Sequence, residues 1–499
     1  VKKVLLHTVA AVGFAASASA ADLGDVSLKD PLPDTLTWHG VTLYGTVDVG
    51  YAYQTNGAPS SGALYTGLDY NMYGSKQNRE AISSLTNSAL SQSFVGLKVE
   101  EAIGYGVSVV AKLESGFNPI SGELADACAS LVRNNGKPLN QMNSSGDGSR
   151  CGQAINGQGF AGLSSSQYGT LTLGRQNSLV LDAMSQYDPM GLSYAFSLIG
   201  WSGGAGSGVG STETARWDNS VKYVLNYGPV HAGAMYANGA EDSSIQNHAA
   251  AGDVGLSWKG FSIDALYTYE GGAFNASAPA STAPVGTVAP AGALWTGVVP
   301  YNALSGNFQD NTAWDVMAKY TFNVGSPFGL KDGGYKDGPF DPSGKVTIYG
   351  GYQHTDISNP AQAISGVNNT TIGGYPIYAA SFAAANSVFT TDRILQTEWA
   401  GLKYEPNTKW SFTGAWYRIT QDAYTKSGVA CPVSHAGGTA TPGNCAGESN
   451  TASFLVDYAW NKHLDLYGGV AWSNILGGLS NGYLATENTT VTTGLRLKF

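Results

Sequence analysis

Apolar and polar residues alternate along this chain with a period of two, stretch after stretch, which is the signature of half-buried β-strands. Thr489 to Phe499 (TTVTTGLRLKF) shows it plainly: Val491, Leu495, Leu497 and Phe499 fall on one face, Thr492, Gly494, Arg496 and Lys498 on the other. Read this way, the chain predicts sixteen strands, at 41–53, 92–101, 105–117, 158–164, 169–177, 216–227, 229–238, 250–258, 260–270, 312–323, 344–355, 393–404, 409–421, 450–460, 463–473 and 489–499. Their connections alternate in length. Short ones (Ala102 to Gly104, Ser165 to Tyr168, Gly228, Lys259, Glu405 to Thr408, Asn461 to Lys462) separate long ones at 54–91, 118–157, 178–215, 239–249, 271–311, 356–392, 422–449 and 474–488. The Gly/Pro/Asp/Lys-rich connection 324–343 breaks this rhythm on the short-turn side.

An even number of strands with short turns at one end and long loops at the other predicts an all-β fold, a transmembrane antiparallel barrel with both ends of the barrel chain on the periplasmic side. The two faces fit that reading. Val41, Leu43, Val47, Val49, Val95, Leu97, Val99, Val107, Val109, Leu113, Leu464, Leu466, Val470 and Trp472 would face lipid. Thr42, Tyr44, Asp48, Lys98, Glu100, Ser108, Lys112, Glu114, Ser220, Lys222, Asp315, Lys319, Arg496 and Lys498 alternate with apolar positions and would face the lumen. A charge turned to lipid would cost about 2–4 kcal/mol at mid-bilayer, so a watered lumen is the consistent place for it. Tyr227, Trp258, Phe261, Tyr320, Phe322, Tyr404, Trp410, Trp460 and Phe499 cluster near the short turns and predict an aromatic girdle. Sixteen strands enclose enough width for an aqueous channel.

Residues 1–20 read as a secretory signal peptide: Lys2 and Lys3, an apolar stretch from Val9 to Ala16, and Ala18-Ser19-Ala20 before Ala21. Residues 21–40 form an N-terminal periplasmic lead, and 41–499 the barrel. No later stretch has the roughly 18 uninterrupted apolar residues of a spanning helix. Charged residues are 12% of the chain and glycines number 66, with a mean hydropathy of −0.10, which suits finely interleaved apolar and polar positions. The net charge is −10, and without Lys2 and Lys3 it is −12, which excludes nucleic acid as an expected partner. The cysteines form two local pairs, Cys128 with Cys151 and Cys431 with Cys445. Three connectivities exist for four cysteines, and export to an oxidising compartment together with locality favours disulfides within each pair.

Several blocks resemble the Gram-negative general diffusion porins, in particular their beta-proteobacterial branch: VTLYGTVDVGYAY at 41–53, SFVGLKVEEAIGYGVSVVAKLESGFNP at 93–119, GFAGLSSSQYGTLTLGRQ at 159–176, RWDNSVKY at 216–223 and the terminal GLRLKF. The resemblance implies a homotrimer of sixteen-stranded barrels in outer-membrane lipid, a third loop folded into the lumen, and passive diffusion of small hydrophilic solutes and ions. The chain departs from that pattern in its lead, in its large Gly/Ala/Ser/Pro loops, and in the loop sequence YDPMG at 187–191.

A diffusion pore needs a narrow hydrated point that bears a field. The third loop, 178–215, contains Asp182, Asp188 and Glu213 and no Lys or Arg, while Lys98, Lys112, Arg175, Arg216 and Lys222 are the basic wall candidates. Arg175 shares parity with outward Leu171 and Leu173, so it needs a bulge near Gly174 to turn inward. The acidic loop tilts the expected selectivity toward cations, and the basic wall opposes it. The seven histidines are scattered and no nucleophile, nucleotide, haem or metal motif is evident, so neither an enzyme nor a cofactor is expected. The alternative is an adhesin or structural barrel with an occluded lumen, for which the long loops speak.

Overall fold

In the computed structural model the described residues are 36–56, 81–126, 128–129, 132, 150–200, 215–239, 245–276, 304, 306–324, 344–364, 371–372, 374–376, 384–426, 429–430, 432–433, 441–442, 445–480 and 485–499. The expected signal peptide and most of the expected lead therefore lie outside them, as do Glu213, Cys431 and nearly all of the 324–343 connection.

Sixteen long strands carry the fold: β1 (Val41–Gln54), β2 (Phe94–Gly104), β3 (Val107–Gly116), β4 (Gly159–Ser165), β5 (Gly169–Asn177), β6 (Arg216–Tyr227), β7 (Val230–Asn238), β8 (His248–Trp258), β9 (Phe261–Ala276), β10 (Gly306–Asn323), β11 (Lys345–Ser358), β12 (Arg393–Glu405), β13 (Trp410–Gln421), β14 (Gly447–Ala459), β15 (Leu464–Gly477) and β16 (Glu487–Lys498). Each pairs antiparallel with the next, and β16 returns to β1 in the register Thr46↔Lys498 to Gln54↔Thr490, which closes the ring. Gly45 and Phe499 exchange backbone hydrogen bonds at the end of that seam, at 3.0 and 3.1 Å. Closure leaves no free sheet edge, which a bilayer core would not tolerate.

Short turns follow from residues that accept positive φ. Lys259-Gly260 joins β8 to β9 with φ of 47° and 85°, and Tyr105-Gly106 joins β2 to β3 with 53° and 71°. Positive φ at both positions gives the twist that suits the strands they connect. Gly228-Pro229 joins β6 to β7 with φ of 57° at the glycine. The two connections read in the sequence as single residues, Gly228 and Lys259, are thus two-residue turns.

The outer surface is apolar: Leu43, Val95, Leu97, Leu113, Leu163, Leu173 and Val254 are exposed along the strands. Tyr105, Tyr227, Trp258 and Trp460 are exposed beside the short turns, where an amphipathic ring settles at a membrane interface. The inward positions Asp48, Thr172, Asp264, Asp315 and Thr492 are buried.

Two strand readings are corrected. The first long loop was expected to run over 54–91, but Ile82–Asn87 pairs with the upper half of β1 (Val49–Gln54), while β2 pairs with its lower half (Val41–Thr46). One wall strand is therefore interrupted by a six-residue excursion, Ser88 to Ser93. Asp48 of β1 holds it by accepting hydrogen bonds from Leu90 N at 2.9 Å and Ser91 N at 2.8 Å. The second correction is that β9 and β10 pair well beyond their predicted ends, to Ala276↔Gly306, with a register shift between Glu270 and Ala273.

Candidate functional site

The third loop begins as a helix, α1 (Leu179–Tyr187). Ser178 caps it by accepting from Leu181 N at 3.3 Å, and Asp182 in its first turn suits the helix dipole. Leu179, Val180, Ala183, Met184 and Tyr187 form its buried face, which packs against the inner wall from β7 to β11. After α1 the chain crosses to the other side of the ring. Trp399 of β12 donates through its indole N–H to Tyr187 O at 3.1 Å, Ser453 of β14 donates to Phe196 O at 2.7 Å, and Ala195 N donates to Ala89 O of the excursion at 3.0 Å. A segment that touches wall strands all round the ring lies inside it.

Apolar packing seats the loop. Phe196, Leu198 and Ile199 are fully buried, in one cluster with Trp217, Met235, Trp399, Tyr417 and Tyr467 of the wall. Wall glycines admit it: a Cβ at Gly469 would sit 2.6 Å from Phe196 Cε1, and one at Gly401 would collide with Pro189. Part of the lumen is thus a dry core, and the passage is what remains.

The carboxylate of Asp182 pairs with the Lys222 ammonium of β6, and Asn177 donates to it at 3.1 Å. Asp188 is 3% exposed at the C-terminal end of α1. It accepts from Leu192 N at 2.6 Å, Met190 N at 3.2 Å and the Tyr417 hydroxyl at 2.5 Å, and Ser197 also bonds to it. Burial pushes its carboxyl above the usual range, and these donors pull it back. Asp188 is therefore the anchor of the Asp188-Pro189-Met190-Gly191 turn.

Of the basic wall candidates, Lys98 is exposed, with its ammonium 6.0 Å from the Tyr44 ring centroid. Lys112 lies 3.3 Å from Glu114, which also accepts from Tyr44 at 2.6 Å and Gln158 at 3.0 Å and is within electrostatic reach of Arg216. The ladder between β5 and β6 slips between Gly174 and Gln176, so the bulge that Arg175 needs is present. Its guanidinium meets Asp218 at 2.7 Å and the carbonyls of Gly157 and Asn156 at 2.9 and 2.8 Å. Cys128 and Cys151 are disulfide-bonded, with Cα atoms 4.8 Å apart, beside Phe274, Leu304, Phe308 and Ile372. Cys445 is also disulfide-bonded, and Cys431 lies outside the described residues.

The charges facing the loop turn were not among the sequence candidates. A cavity of about 260 Å³ lies between Gln186, Pro189 and Gly191 of the loop and Lys403, Asp457 and Arg496 of the wall. Arg496 bridges Asp465 at 2.6 Å and Asp457 at 3.4 Å, and Lys498 reaches Asp465 at 2.7 Å. The signal was there, because Asp465 lies between outward Leu464 and Leu466 and so points inward by alternation.

A closed sixteen-stranded ring, apolar outside and charged inside, with one loop seated across its lumen, defines a transmembrane β-barrel of the pore-forming class. The chain belongs to the Gram-negative porin family, whose model matches residues 8–475. An outer membrane porin protein of Bordetella pertussis is 28% identical to it over 242 residues, which are 48% of this chain and 49% of that relative, so the match spans about half of each. Among solved structures, an anion-selective porin from Comamonas acidovorans is similar at a TM-score of 0.53 and 16% identity, over 92% of this chain and 99% of that one. The trimer form of in-vitro folded OmpT of Vibrio cholerae is similar at 0.51 and 11%, over 92% and 99%. At such identities these two likenesses show the fold. Family and relative place the chain in the Gram-negative outer membrane.

Proposed function

We propose that the barrel is a water-filled channel for passive diffusion of small hydrophilic solutes and ions, assembled as a homotrimer. The observation that carries this reading is the loop seated inside the ring with a charged gap left beside it, the cavity between the Asp188–Gly191 turn and Lys403, Asp457 and Arg496. The field in that gap comes from residues of both signs. Asp182 and Lys222 bind each other at the start of α1, and Arg496, Lys498, Asp457 and Asp465 interleave on the far wall. Interleaved charges orient dipolar solutes and penalise apolar ones while leaving little net charge, so selectivity between anions and cations is weak. Asp188 contributes by holding the loop in place, and Lys98 and Lys112, opposite each other midway along the β2–β3 ladder, contribute to the lumen charge. The trimer form of the Vibrio cholerae structure supports the oligomeric part of the reading.

The test is a planar-bilayer recording of the folded protein under a salt gradient, with a swelling assay of proteoliposomes in neutral sugars of increasing size. Conductance steps in groups of three, a small reversal potential and a sharp size limit are expected. A folded, heat-modifiable barrel that is silent in both assays would refute the channel and favour a structural or adhesive barrel.

A further inference from the structure

His231, Asp253 and Asp264 sit on three consecutive strands, β7, β8 and β9, with Gly255 of β8 directly opposite both His231 and Asp264 in the ladder. A Cβ at Gly255 would collide with the His231 ring and with Asp264 Oδ1, and one at Gly233 would collide with Asp253 Oδ1. Two glycines thus make the room in which the three side chains meet, at the inner wall under α1.

The contacts within the trio are poorly explained as ordinary ion pairing. His231 Nε2 lies 2.6 Å from Asp264 Oδ1 and 3.4 Å from Asp253 Oδ2, and one N–H cannot serve both carboxylates. Asp264 is 1% exposed with its Oδ1 against the His231 ring, while the buried Oδ1 of Asp253 is without a hydrogen bond. A buried carboxylate oxygen left in this state is costly. One possible ligand atom from each residue, all within 4.8 Å of one another, could instead share a central cation.

We propose that His231, Asp253 and Asp264 bind a divalent transition-metal cation of the zinc type. One imidazole nitrogen with two carboxylate oxygens is a donor set such ions accept, leaving a further position for lumen water. Bonds of about 2.0–2.2 Å put neighbouring ligand atoms roughly 3.4 Å apart in a tetrahedral shell. The His231–Asp253 distance already has that value, and the His231–Asp264 contact opens by under an ångström. His231 is 23% exposed on its side chain, which gives the ion a path from the lumen. The Tyr187 hydroxyl of α1 bonds to Asp264, so an outer partner orients one ligand and ties the constriction loop to the site. Two ammonium groups lie within electrostatic reach, Lys222 of Asp253 and Lys319 of Asp264, but each is bonded elsewhere, Lys222 to Asp182 and Lys319 to the Gln186 carbonyl at 3.1 Å. No paired His or Cys spacing announces the site, because each ligand comes from a different strand.

Binding does not rest on the channel reading, but its effect on ion flow does, so the two are measured separately. Titration of the folded full chain with Zn²⁺ by calorimetry, with Mg²⁺ as control, is expected to give one Zn²⁺ per chain. Losing even an outer partner of a metal site costs about 10–100-fold in affinity, so His231→Gln should weaken it by at least about 10-fold, and Asp253→Asn likewise. Both variants are first checked for heat-modifiable folding, and whichever folds is used. In bilayers, Zn²⁺ should shift the native reversal potential toward anions and leave His231→Gln unmoved. No Zn²⁺ uptake, or uptake unchanged in a folded variant, overturns the proposal. Uptake lost in the variant with a silent bilayer keeps the site and removes the channel.

Discussion

Asp188 is where the seating of the loop can be tested most directly. Its carboxylate gathers Met190 N, Leu192 N, the Tyr417 hydroxyl and Ser197, so Asp188→Ala leaves four groups, three of them on buried residues, without that acceptor. At about 1–3 kcal/mol for each orphaned donor, less what water regains once the turn lifts, the loss is on the order of 5 kcal/mol. None of the strand-to-strand ladders passes through Asp188, so the loss falls on the loop and not on the ring. Asp188→Asn keeps one carbonyl acceptor and should cost less. Tyr417→Phe removes a single donor and should cost about 1–2 kcal/mol. Single-channel recording reads the result, with heat-modifiable migration in gels reporting the intact ring. The expected order is a folded barrel in all three, with conductance larger and noisier in Asp188→Ala, intermediate in Asp188→Asn and near native in Tyr417→Phe. Native conductance and noise in a folded Asp188→Ala barrel would refute the argument that this carboxylate holds the constriction.

Other residues give independent checks. Gly469→Val puts a side chain against both Phe196 and the Phe454 carbonyl of the neighbouring strand; overpacking of this kind costs about 1–3 kcal/mol and should displace the loop, seen as altered conductance in the variant that still folds. Arg496→Gln removes the cation that bridges Asp457 and Asp465 and should shift the reversal potential toward cations, whereas an unmoved potential would place the narrow point elsewhere. Lys222→Gln frees Asp182 and should shift it the same way. That pair is partly open to water, at 11% and 43% side-chain exposure, so thermal stability should fall by no more than about 1 kcal/mol. Reducing Cys128–Cys151 should lower the protease resistance of the 118–157 loop and leave conductance in place, since the bridge packs on Phe274 and Phe308 and not on the seated segment.

The ring was legible in the sequence because lipid on one side and water on the other impose the same alternation on every strand. Arg175 shows how far such reasoning reaches, since by parity it could turn inward only through an irregularity near Gly174, and the ladder slips there. The excursion Ser88 to Ser93 was hidden for the opposite reason. Its residues show no alternation, and its shape comes from Asp48, more than forty positions earlier in the chain. Asp188 was visible as an acid beside a proline, but its burial is decided by Tyr417, a partner separated by 229 residues. Of the far-wall cluster, Arg496 and Lys498 were legible as lumen-facing by alternation, but their pairing with Asp457 and Asp465 depends on register between strands, which no single strand's pattern carries.

The Gly45–Phe499 exchange at the β1–β16 seam bears on how the molecule comes into being. Every other pairing of neighbouring wall strands joins segments that follow each other along the chain, and closing loops between them is comparatively fast. The seam joins the most distant pair of all, so its loop-closure cost is the greatest. Until it shuts, the half-built sheet carries two unsatisfied edges, each able to capture a strand of another molecule. Assembly is therefore a race between the two ends of one sheet finding each other and either finding a stranger, and changes that slow the seam should surface first as aggregates rather than as unstable barrels.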